Sequence, residues 1–360
     1  MIEIQLKIET KEVGYSLFLG ELLFSQVAHF IMAQDYSKVV VITDENIAPS
    51  WLNPLIEACS FGLESIVIPA GEKNKKIETV QDIWSQFYRM DLDRSSLVIN
   101  LGGGVVCDLG GFAASSFMRG IDFIQIPTTL LAQVDASIGG KVGVNFEETK
   151  NLIGAFVQPK AVFIDIATLK TLPKREFLSG FAEIIKHGLI WDKNYYKDLQ
   201  KQDPMRLKGD KLLNIIARSC HIKATIVERD EREKGMRQIL NFGHTIGHAI
   251  EAISQTSKPL LHGEAIALGM MIEADISKEL GYLQESDLET LQTTLLNYQL
   301  PIRLEQSIAK DELKNKMLSD KKKRAGILRW TLLKGIGDVV FGELVSEKIL
   351  DIVLKRFLSK

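Results

Sequence analysis

Residues 97–114, LVINLGGGVVCDLGGFAA, decide the fold, because an apolar run, three glycines and a helix-like stretch follow one another there. This order is typical of a strand, a tight turn and a helix in a parallel sheet. Gly102, Gly103 and Gly104 would let the backbone approach a phosphate, and the helix N-terminus would add partial positive charge. The stretch is not GxGxxG, and such a turn needs glycine anyway. A phosphate site and a purely structural turn therefore stay open.

The rest of the first half repeats this alternation of strands and helices. Further apolar, β-branched runs predict strands at residues 38–42, 65–68, 123–126 and 161–164. Helices are predicted at residues 76–90 and 110–117, and the alternating residues 1–12 predict a strand rather than a signal peptide. Strands that are apolar throughout and separated by helices predict a Rossmann-like parallel sheet covered on both faces.

From residue 173 onward the pattern changes to long amphipathic helices. They are predicted at residues 175–190, 211–228, 239–253, 263–280 and 286–298. A late hairpin is predicted at residues 327–342, with its turn at residues 335–338. We therefore expect an α/β plus α protein, with a nucleotide-type α/β domain in residues 1–172 and a mainly helical domain in residues 173–360.

Composition excludes several classes of protein. The 360 residues are 46% hydrophobic and 25% charged, and the net charge of −2 provides no basic field for nucleic acid or an acidic membrane. The three cysteines form no CxxC pair, which argues against a disulfide framework or a thiolate metal site. No apolar run approaches the ~20 residues of a membrane span. We expect a cytoplasmic protein.

Polar residues follow several of the predicted strands. Asp44 ends one of them, where a carboxylate can accept hydrogen bonds from ribose hydroxyls, and residues 71–76 (GEKNKK) place three lysines beside a helix start. Thr128 and Thr129 follow another strand, in a segment that ends on Gly-Gly-Lys at Lys141. Surface lysines are usually only solvated. These polar groups instead share the carboxyl edge of a parallel sheet, which favours a ligand there.

A second signal lies in residues 235–269, GMRQILNFGHTIGHAIEAISQTSKPLLHGEAIALG, which hold three of the six histidines. His244 and His248 are four positions apart and share one helical face, and His262 opens the next apolar stretch. A single histidine on such a face is more often a hydrogen-bonded core residue than a ligand. Three so close together leave metal binding and core packing about equally open.

An acidic residue adds to this signal. Residues 172–190, LPKREFLSGFAEIIKHGLI, place Glu183 and Lys186 three positions apart in an apolar helix. A buried carboxylate is costly unless it is paired or bound to a metal, and a structural Glu–Lys pair is the simpler interpretation of these residues alone. Combined with His244 and His262, Glu183 completes a set of three ligands with an open position, which is the usual layout of catalytic zinc.

With these residues in view, the chain closely resembles the 3-dehydroquinate synthases, a family of sugar phosphate cyclases. The matching segments are GEKNKK at 71–76, LGGGVVCDLGGF at 101–112, FMRGIDFIQIPTTLLAQVDASIGGKVGVN at 117–145, TLPKREFLSGFAEIIKHG at 171–188, KATIVERDEREKGMRQILNFGHTIGHAIE at 223–251, LHGEAIALGM at 261–270 and DKKK at 320–323. NFGHTIGHAIE with a downstream LHGE is specific to sugar phosphate cyclases. Cys107 is the loosest match, since the family often has glycine there.

The resemblance implies a role for each matching residue. Zinc, or cobalt in its place, would be bound by Glu183, His244 and His262. NAD would be bound by Asp44, Gly71, Glu72, Lys73, Asn74, Lys75, Lys76, Gly102, Gly103, Gly104, Val105, Val106, Cys107, Asp108, Thr128, Thr129, Lys141, Lys150, Thr168, Leu169, Lys170 and Thr171. The catalytic and substrate-binding residues would be Arg119, Asp135, Lys141, Lys150, Asn151, Lys223, Arg237, Asn241, His248 and Lys321, with Lys322 as the alternative to Lys321.

The resemblance also implies a reaction of the shikimate pathway, which supplies chorismate and the aromatic amino acids. The substrate would be 3-deoxy-D-arabino-heptulosonate 7-phosphate, and the products 3-dehydroquinate and phosphate. The steps would be transient oxidation by NAD, phosphate elimination, re-reduction, ring opening and intramolecular aldol closure, with zinc as Lewis acid. His248 would relay a proton; its alternative role is to orient a metal ligand. A substrate with a phosphate and a carboxylate needs several fixed cations, and the implied set contains them.

Three other functions are alternatives to this one. An NAD-linked polyol dehydrogenase of the glycerol dehydrogenase type would share the fold and the metal, but has no reason to combine Lys141, Lys150 and Asn151 with Lys223 and Arg237. A cyclase for a neutral sugar phosphate would lose Lys223 and Arg237, and both are present. An inactive nucleotide-binding regulator would lose ligands, and every expected ligand is present.

The resemblance further implies a homodimer. In the family, the arginine of the MRG segment, here Arg119, enters the active site of the neighbouring subunit. The residues themselves leave open that Arg119 is a surface residue after a helix.

Overall fold

The computed structural model describes residues 4–10, 14–147, 149–254, 259–305, 308–321 and 328–358, with the backbone alone described for residues 319–321. The chain divides into two compact units. The first contains Met1–Pro173 and Lys208–Glu231, and the second contains Lys174–Leu207 and Arg232–Lys360.

The first unit is built on a seven-stranded sheet. Its strands are β1 (Ile4–Ile8), β2 (Tyr15–Gly20), β3 (Val39–Asp44), β4 (Glu64–Ile68), β5 (Leu97–Gly102), β6 (Asp122–Pro127) and β9 (Ala161–Asp165), in the spatial order β1-β2-β9-β6-β5-β3-β4. Only β1 pairs antiparallel, with β2, and the other neighbours are parallel. A separate antiparallel hairpin is formed by β7 (Lys141–Phe146) and β8 (Thr149–Phe156).

Helices cover both faces of this sheet. They are α1 (Phe24–Met32), α2 (Ala48–Ala58), α3 (Ile77–Arg89), α4 (Gly104–Ser116) and, later in the chain, α7 (Gly209–Arg229). Because side chains alternate along a strand, Val40 of β3 packs with Val80 and Ile83 of α3 on one face, while Val41 packs with Val27 and Leu55 on the other. The predicted parallel sheet between two helical layers is confirmed.

The strand order reverses between β3 and β5. The chain runs from β3 outward to β4, then returns to β5 on the other side of β3 and continues to β6. At such a reversal, the helices that follow the two strands leave in different directions and open a crevice at the carboxyl edge. Asp44 and Gly102 end the two strands, so two residues that the sequence predicts as ligand contacts lie at this edge.

The second unit is mainly helical. It contains α5 (Lys174–Trp191), α6 (Lys193–Gln200), α8 (His244–Ser254), α9 (His262–Glu279), α10 (Glu285–Asn297), α11 (Lys310–Lys321), α12 (Glu347–Leu358) and a hairpin of β10 (Trp330–Gly335) and β11 (Asp338–Glu343). Its core joins Ile250 of α8 and Ile272 of α9 with Trp330 of the hairpin. The hairpin is as expected, although Ile327, where it was predicted to begin, lies outside the described residues. Within the described ranges, none of the helices is long and apolar enough to cross a bilayer.

Helix α7 differs from its predicted place. The expected domain boundary after residue 172 put it in the helical domain, but it packs in the first unit, against β1, β2 and the short helical segment Ala132–Ala136. Periodicity identifies an apolar helix face but does not say which core that face joins.

The helix predicted at residues 239–253 is divided in the structure. A 3-10 segment, Met236–Asn241, comes first, and α8 begins only at His244. Between them Gly243 has φ 81, a left-handed conformation that favours glycine. The buried carboxylate of Glu273 on α9 accepts the N–H groups of Gly243 at 2.6 Å and Ile246 at 3.2 Å, which satisfies donors at the start of α8.

Two glycines bring the backbone of α9 against its neighbours. A Cβ added at Gly269 would lie 1.9 Å from the carbonyl oxygen of Gly243, and one added at Gly263 would lie 1.9 Å from that of Ser179 on α5. Real Cβ atoms do not approach carbonyl oxygens so closely. The two contacts therefore require glycine and set the distance of α9 from the start of α8 and from α5.

We expect Gly269→Ala to destabilise the protein by about 1–3 kcal/mol, because the added methyl group forces α9 away from Gly243. Denaturant unfolding followed by circular dichroism measures the midpoint. Gly104→Ala is the control, since its Cβ would make an ordinary contact, 3.5 Å from the Cβ of Ala136. Equal midpoints for the two variants would contradict the packing described here.

Candidate metal and nucleotide sites

Three candidate ligands converge in the second unit. Glu183 lies in the middle of α5 and is fully buried, while His244 and His262 are the first residues of α8 and α9. One ligand atom from each lies within 4.8 Å of the others. The Nε2 atoms of His244 and His262 are 3.6 and 3.7 Å from Oε1 of Glu183. Residues far apart in sequence are thus brought to one point by three helices.

Each histidine is oriented through its other ring nitrogen. Nδ1 of His244 lies 3.1 Å from the carbonyl oxygen of Phe242, and Nδ1 of His262 lies 3.2 Å from Oε2 of Glu251. An Nδ1–H group that donates to an oxygen leaves Nε2 as the unprotonated nitrogen able to bind a metal. Both Nε2 atoms face the Glu183 carboxylate.

Burial and charged neighbours shift the pKa of each of the three candidate ligands. Burial alone would raise the pKa of Glu183, but Lys186, with which it forms an ion pair, and the two histidines hold that pKa well below its usual range. Burial and the Lys186 ammonium lower the pKa of His244. Burial acts in the same direction on His262, yet Glu183 and Glu251 raise its pKa to about 10. The two histidines differ because Glu251 helps to raise the pKa of His262, whereas burial and Lys186 outweigh the effect of Glu183 on His244.

The donor set fits a divalent metal ion. Among the described residues, no well-aligned hydrogen bond reaches either oxygen of the Glu183 carboxylate, and the contact with Lys186 is an ion pair. A buried carboxylate and two Nε2 atoms give three ligands of the kind that zinc prefers, and a fourth position is left for a substrate oxygen. The residues present are therefore suitable for the metal that the sequence predicts.

His248 lies one helical turn after His244 on the same face of α8. Its ring centroid is 5.0 Å from that of His244 and 5.9 Å from that of His262. Its side chain is exposed, whereas His244 and His262 are partly buried. Glu251 follows a turn later, so this face of α8 presents a candidate ligand, an exposed imidazole and the carboxylate that orients the other ligand.

The remaining candidates of the second unit lie outside this cluster of ligands. Arg237 and Asn241 belong to the 3-10 segment before α8; Arg237 is 2% exposed, and Asn241 donates from Nδ2 to Oε1 of Glu233 at 2.8 Å. Lys321 ends α11, but its side chain is outside the described structure, as are Lys322 and Lys323.

In the first unit, the glycine turn and Asp44 lie at the reversal of strand order. The N–H of Thr128 donates to the Gly102 carbonyl at 2.9 Å, and α4 begins at Gly104, so Val105, Val106, Cys107 and Asp108 form its first turns. A Cβ at Gly102 would lie 2.5 Å from the Val106 side chain, which is too close for any residue but glycine.

Asp44 lies at the end of β3. Burial raises the pKa of its carboxyl group, although Oδ1 accepts N–H groups from Asn46 and Ile47.

The GEKNKK segment is joined to the β7–β8 hairpin. Lys75 is buried, whereas Lys73 and Lys76 are exposed. The Nζ of Lys75 donates to Oδ2 of Asp108 at 2.6 Å and to Oδ1 of Asn151. Burial would lower the pKa of Lys75, but the carboxylates of Asp108 and Glu72 raise it above its ordinary value. Thus one ammonium contacts two other predicted site residues.

Other predicted site residues of this unit are held by internal contacts. Nζ of Lys223 donates to the backbone oxygen of Asp135 at 2.6 Å and pairs with its carboxylate. The 3-10 segment Ile166–Thr171 is fixed through Thr168, whose hydroxyl donates to the Asp165 carbonyl at 2.7 Å. Leu169 is buried there, Thr171 accepts a hydrogen bond from Trp51, and Lys170 pairs with Glu21 at 2.7 Å.

Arg119 and the hairpin lysines are exposed. Met118 and Arg119 have φ 51 and φ 72, both left-handed, and Gly120 follows with φ 114. Left-handed backbone is unfavourable for residues with a Cβ, and two in succession are unusual. Lys141 begins β7 and Lys150 lies near the start of β8.

The sequence did not identify the carboxylates that support the histidines. Glu251 lies seven positions after His244, on the same helical face, and that spacing was the available signal. Glu273 carries no such signal, because only packing brings it to the start of α8.

Comparisons with known proteins agree with this architecture. Two family models match successive parts of the chain: 3-dehydroquinate synthase N-terminal over residues 65–179, and 3-dehydroquinate synthase C-terminal over residues 180–323. A 3-dehydroquinate synthase from Caldanaerobacter subterraneus subsp. tengcongensis is 44% identical over 352 residues, which is 96% of this chain and 98% of the relative.

Two solved structures are similar over nearly their whole length. One is 2-epi-5-epi-valiolone synthase from Streptomyces hygroscopicus subsp. jinggangensis with NAD+ and Zn2+ bound; it has a TM-score of 0.87 and 28% identity, covering 97% of this chain and 98% of that one. The other is 2-deoxy-scyllo-inosose synthase complexed with carbaglucose-6-phosphate, NAD+ and Co2+; it has a TM-score of 0.89 and 26% identity, covering 99% and 100%.

We expect Glu251→Gln to lower the affinity for Zn2+ about 10- to 100-fold, because the amide can still accept the His262 N–H but carries no negative charge. Competition with a chromogenic chelator measures the affinity. His262→Ala gives the reference for loss of a ligand. Glu279→Gln is the matched control, since Glu279 pairs with Arg356 at 2.7 Å. Wild-type affinity in Glu251→Gln would show that the negative charge of Glu251 does not strengthen metal binding by His262.

Proposed function

Because the chain belongs to the 3-dehydroquinate synthase family, we propose that it converts 3-deoxy-D-arabino-heptulosonate 7-phosphate to 3-dehydroquinate and phosphate, as a lyase of the shikimate pathway. The observation that carries this proposal is the convergence of Glu183, His244 and His262, with the exposed His248 one turn along α8. A polyol dehydrogenase would use a similar fold and metal, but family membership favours the cyclase.

Glu183, His244 and His262 would hold the divalent ion, which we propose is zinc, with cobalt as the alternative. When bound, it would supply a Lewis acid for a substrate oxygen. NAD+ would occupy the crevice at the carboxyl ends of β3 and β5, and when bound it would supply a hydride acceptor that is regenerated within each turnover. The first unit is therefore proposed as the NAD-binding domain, and the second as the metal-binding domain.

NAD+ would be held by three kinds of group. The backbone of Gly102, Gly103 and Gly104 and the N-terminus of α4 would face the phosphates, since glycine allows close approach and the helix end is partly positive. Asp44 would accept ribose hydroxyls. The remaining proposed contacts come from Gly71, Glu72, Lys73, Asn74, Lys75, Lys76, Val105, Val106, Cys107, Asp108, Thr128, Thr129, Lys141, Lys150, Thr168, Leu169, Lys170 and Thr171.

The two anionic groups of the substrate would be bound by fixed cations. Lys223 and Arg237 are proposed for the carboxylate, and their burial supports this because a cation with little water around it binds an anion strongly. Asp135 would hold the Lys223 ammonium in position. Asn151, Asn241, Lys141, Lys150, Arg119 and Lys321 are proposed as further substrate contacts.

His248 is proposed to relay a proton at one of its ring nitrogens. The alternative was that it orients a metal ligand. However, His244 is already oriented by the Phe242 carbonyl and His262 by Glu251. Both ligand histidines thus have other orienting partners, which supports the relay role of an exposed imidazole.

We further propose a homodimer in the cytoplasm, in which Arg119 reaches the partner's active site. The left-handed backbone at Met118 and Arg119 supports a constrained, outward position for this arginine. Met118 is 44% exposed, and Phe146, Leu152 and Phe156 of the hairpin are 41–44% exposed, which supports a surface covered by a second copy.

The three cysteines are free and buried, which supports the proposed location in a reducing compartment, the cytoplasm.

The direct test of the activity is phosphate release from the heptulosonate by purified, metal-loaded protein. We expect release to require NAD+ without accumulation of NADH, because the hydride would return to the same carbon. His244→Ala is the control for background hydrolysis. Steady growth of NADH absorbance would indicate a dehydrogenase, and turnover of a neutral sugar phosphate alone would indicate a different cyclase.

The dimer proposal predicts complementation between inactive variants. When Arg119→Ala and His244→Ala chains exchange subunits, each mixed dimer has one site with both defects and one with neither. About half of the wild-type activity per mixed dimer should return if the sites are independent. Mixed dimers verified by two affinity tags that remain inactive would place Arg119 in its own subunit or outside the site.

A further inference from the structure

We infer that Asn145 is a positioning residue that joins the proposed cofactor contacts to a proposed substrate contact within the first unit; this inference rests on the proposed function. Asn145 lies near the end of β7 and is half-buried. It belongs to neither of the proposed sets of site residues. Its bonds nevertheless reach residues of both.

Three hydrogen bonds of Asn145 go to those residues. Its backbone N–H donates to the carbonyl of Lys75 at 2.8 Å, and its Nδ2 donates to Oε1 of Glu72 at 2.8 Å. Its Oδ1 accepts the backbone N–H of Asn151 at 2.9 Å. One amide side chain therefore donates to Glu72, a proposed cofactor contact, and accepts from Asn151, a proposed substrate contact.

The bonds close into a ring. Lys75 accepts from Asn145 through its carbonyl, and its Nζ donates to Oδ1 of Asn151, whose N–H returns to Asn145. Asn151 has φ 51, a left-handed conformation that asparagine tolerates better than most residues. Its N–H bond to Asn145 holds this conformation, which directs its side-chain oxygen at Lys75. The ring is tied to α4 by the ion pair of Lys75 with Asp108.

The ring makes the positions of Lys75 and Asn151 interdependent. A ligand that orders Lys75 and Glu72 from the cofactor side would also order Asn151, and the reverse holds equally, because coupling between two binding events is reciprocal. Asparagine is needed, since its amide supplies a donor and an acceptor together. Aspartate keeps the acceptor for Asn151 but places a second carboxylate against Glu72, whereas alanine removes both bonds.

The experiment compares Asn145→Ala and Asn145→Asp in the metal-loaded, full-length protein. Titration calorimetry measures the Kd for NAD+, and phosphate release at saturating NAD+ gives KM and kcat for the heptulosonate. We expect Asn145→Ala to raise both the Kd and the KM about 2- to 10-fold, as loss of one or two hydrogen bonds would. Asn145→Asp should raise the Kd for NAD+ at least as much but leave the KM within about twofold of wild type.

The difference in KM between the two variants separates a positioning role from a purely structural role. Asn297→Ala is the matched control, since its Nδ2 donates to the Gln202 carbonyl at 2.8 Å; it should change neither constant. If both Asn145 variants only lower the thermal midpoint and leave Kd and KM unchanged, the inference is wrong. Equal KM values in the two variants would also overturn it. If the wild type releases no phosphate, the proposed function fails. The NAD+ titrations then still test whether Asn145 positions the proposed cofactor contacts.

Discussion

The buried carboxylate of Glu183 is the constraint on which the second unit depends. A carboxylate removed from water is costly unless cations or strong donors surround it; here the Lys186 ammonium pairs with it, and Nε2 of His244 and of His262 lie 3.6 and 3.7 Å from its Oε1. Two of these partners are the first residues of their helices. The carboxylate therefore requires that α8 and α9 both begin beside the middle of α5.

The helix starts are held there by contacts that have little to do with hydrophobic patterning. Gly269 and Gly263 let the backbone of α9 touch Gly243 and Ser179, where a methyl group would collide with a carbonyl oxygen. Glu273 then accepts the N–H groups that the interrupted helix leaves unsatisfied. Two buried carboxylates, Glu183 among the candidate ligands and Glu273 at the start of α8, thus depend on the same close packing of helices.

In the first unit, the candidate site residues are brought together by the sheet topology and by hydrogen bonds from a hairpin. A parallel sheet directs the carboxyl ends of its strands to one edge, and the reversal of strand order opens a crevice there. The hairpin of β7 and β8 adds the polar residues that the sheet lacks, and Asn145 joins it to the segment around Lys75. The arrangement connects residues that are far apart in sequence through hydrogen bonds rather than through a common core.

Local patterns in the sequence predicted most strands of the large sheet, the longer helices, the α/β plus α class, and the candidate ligands Glu183, His244 and His262. These follow from periodicity, glycine placement and residue chemistry, which act over a few neighbours. Only the tertiary structure decided that α7 joins the first unit, that α8 begins at His244, and that Glu251, Glu273 and Asn145 support the site residues. The physical reason is that a hydrogen bond or a packed face between distant segments leaves no periodic trace in the chain.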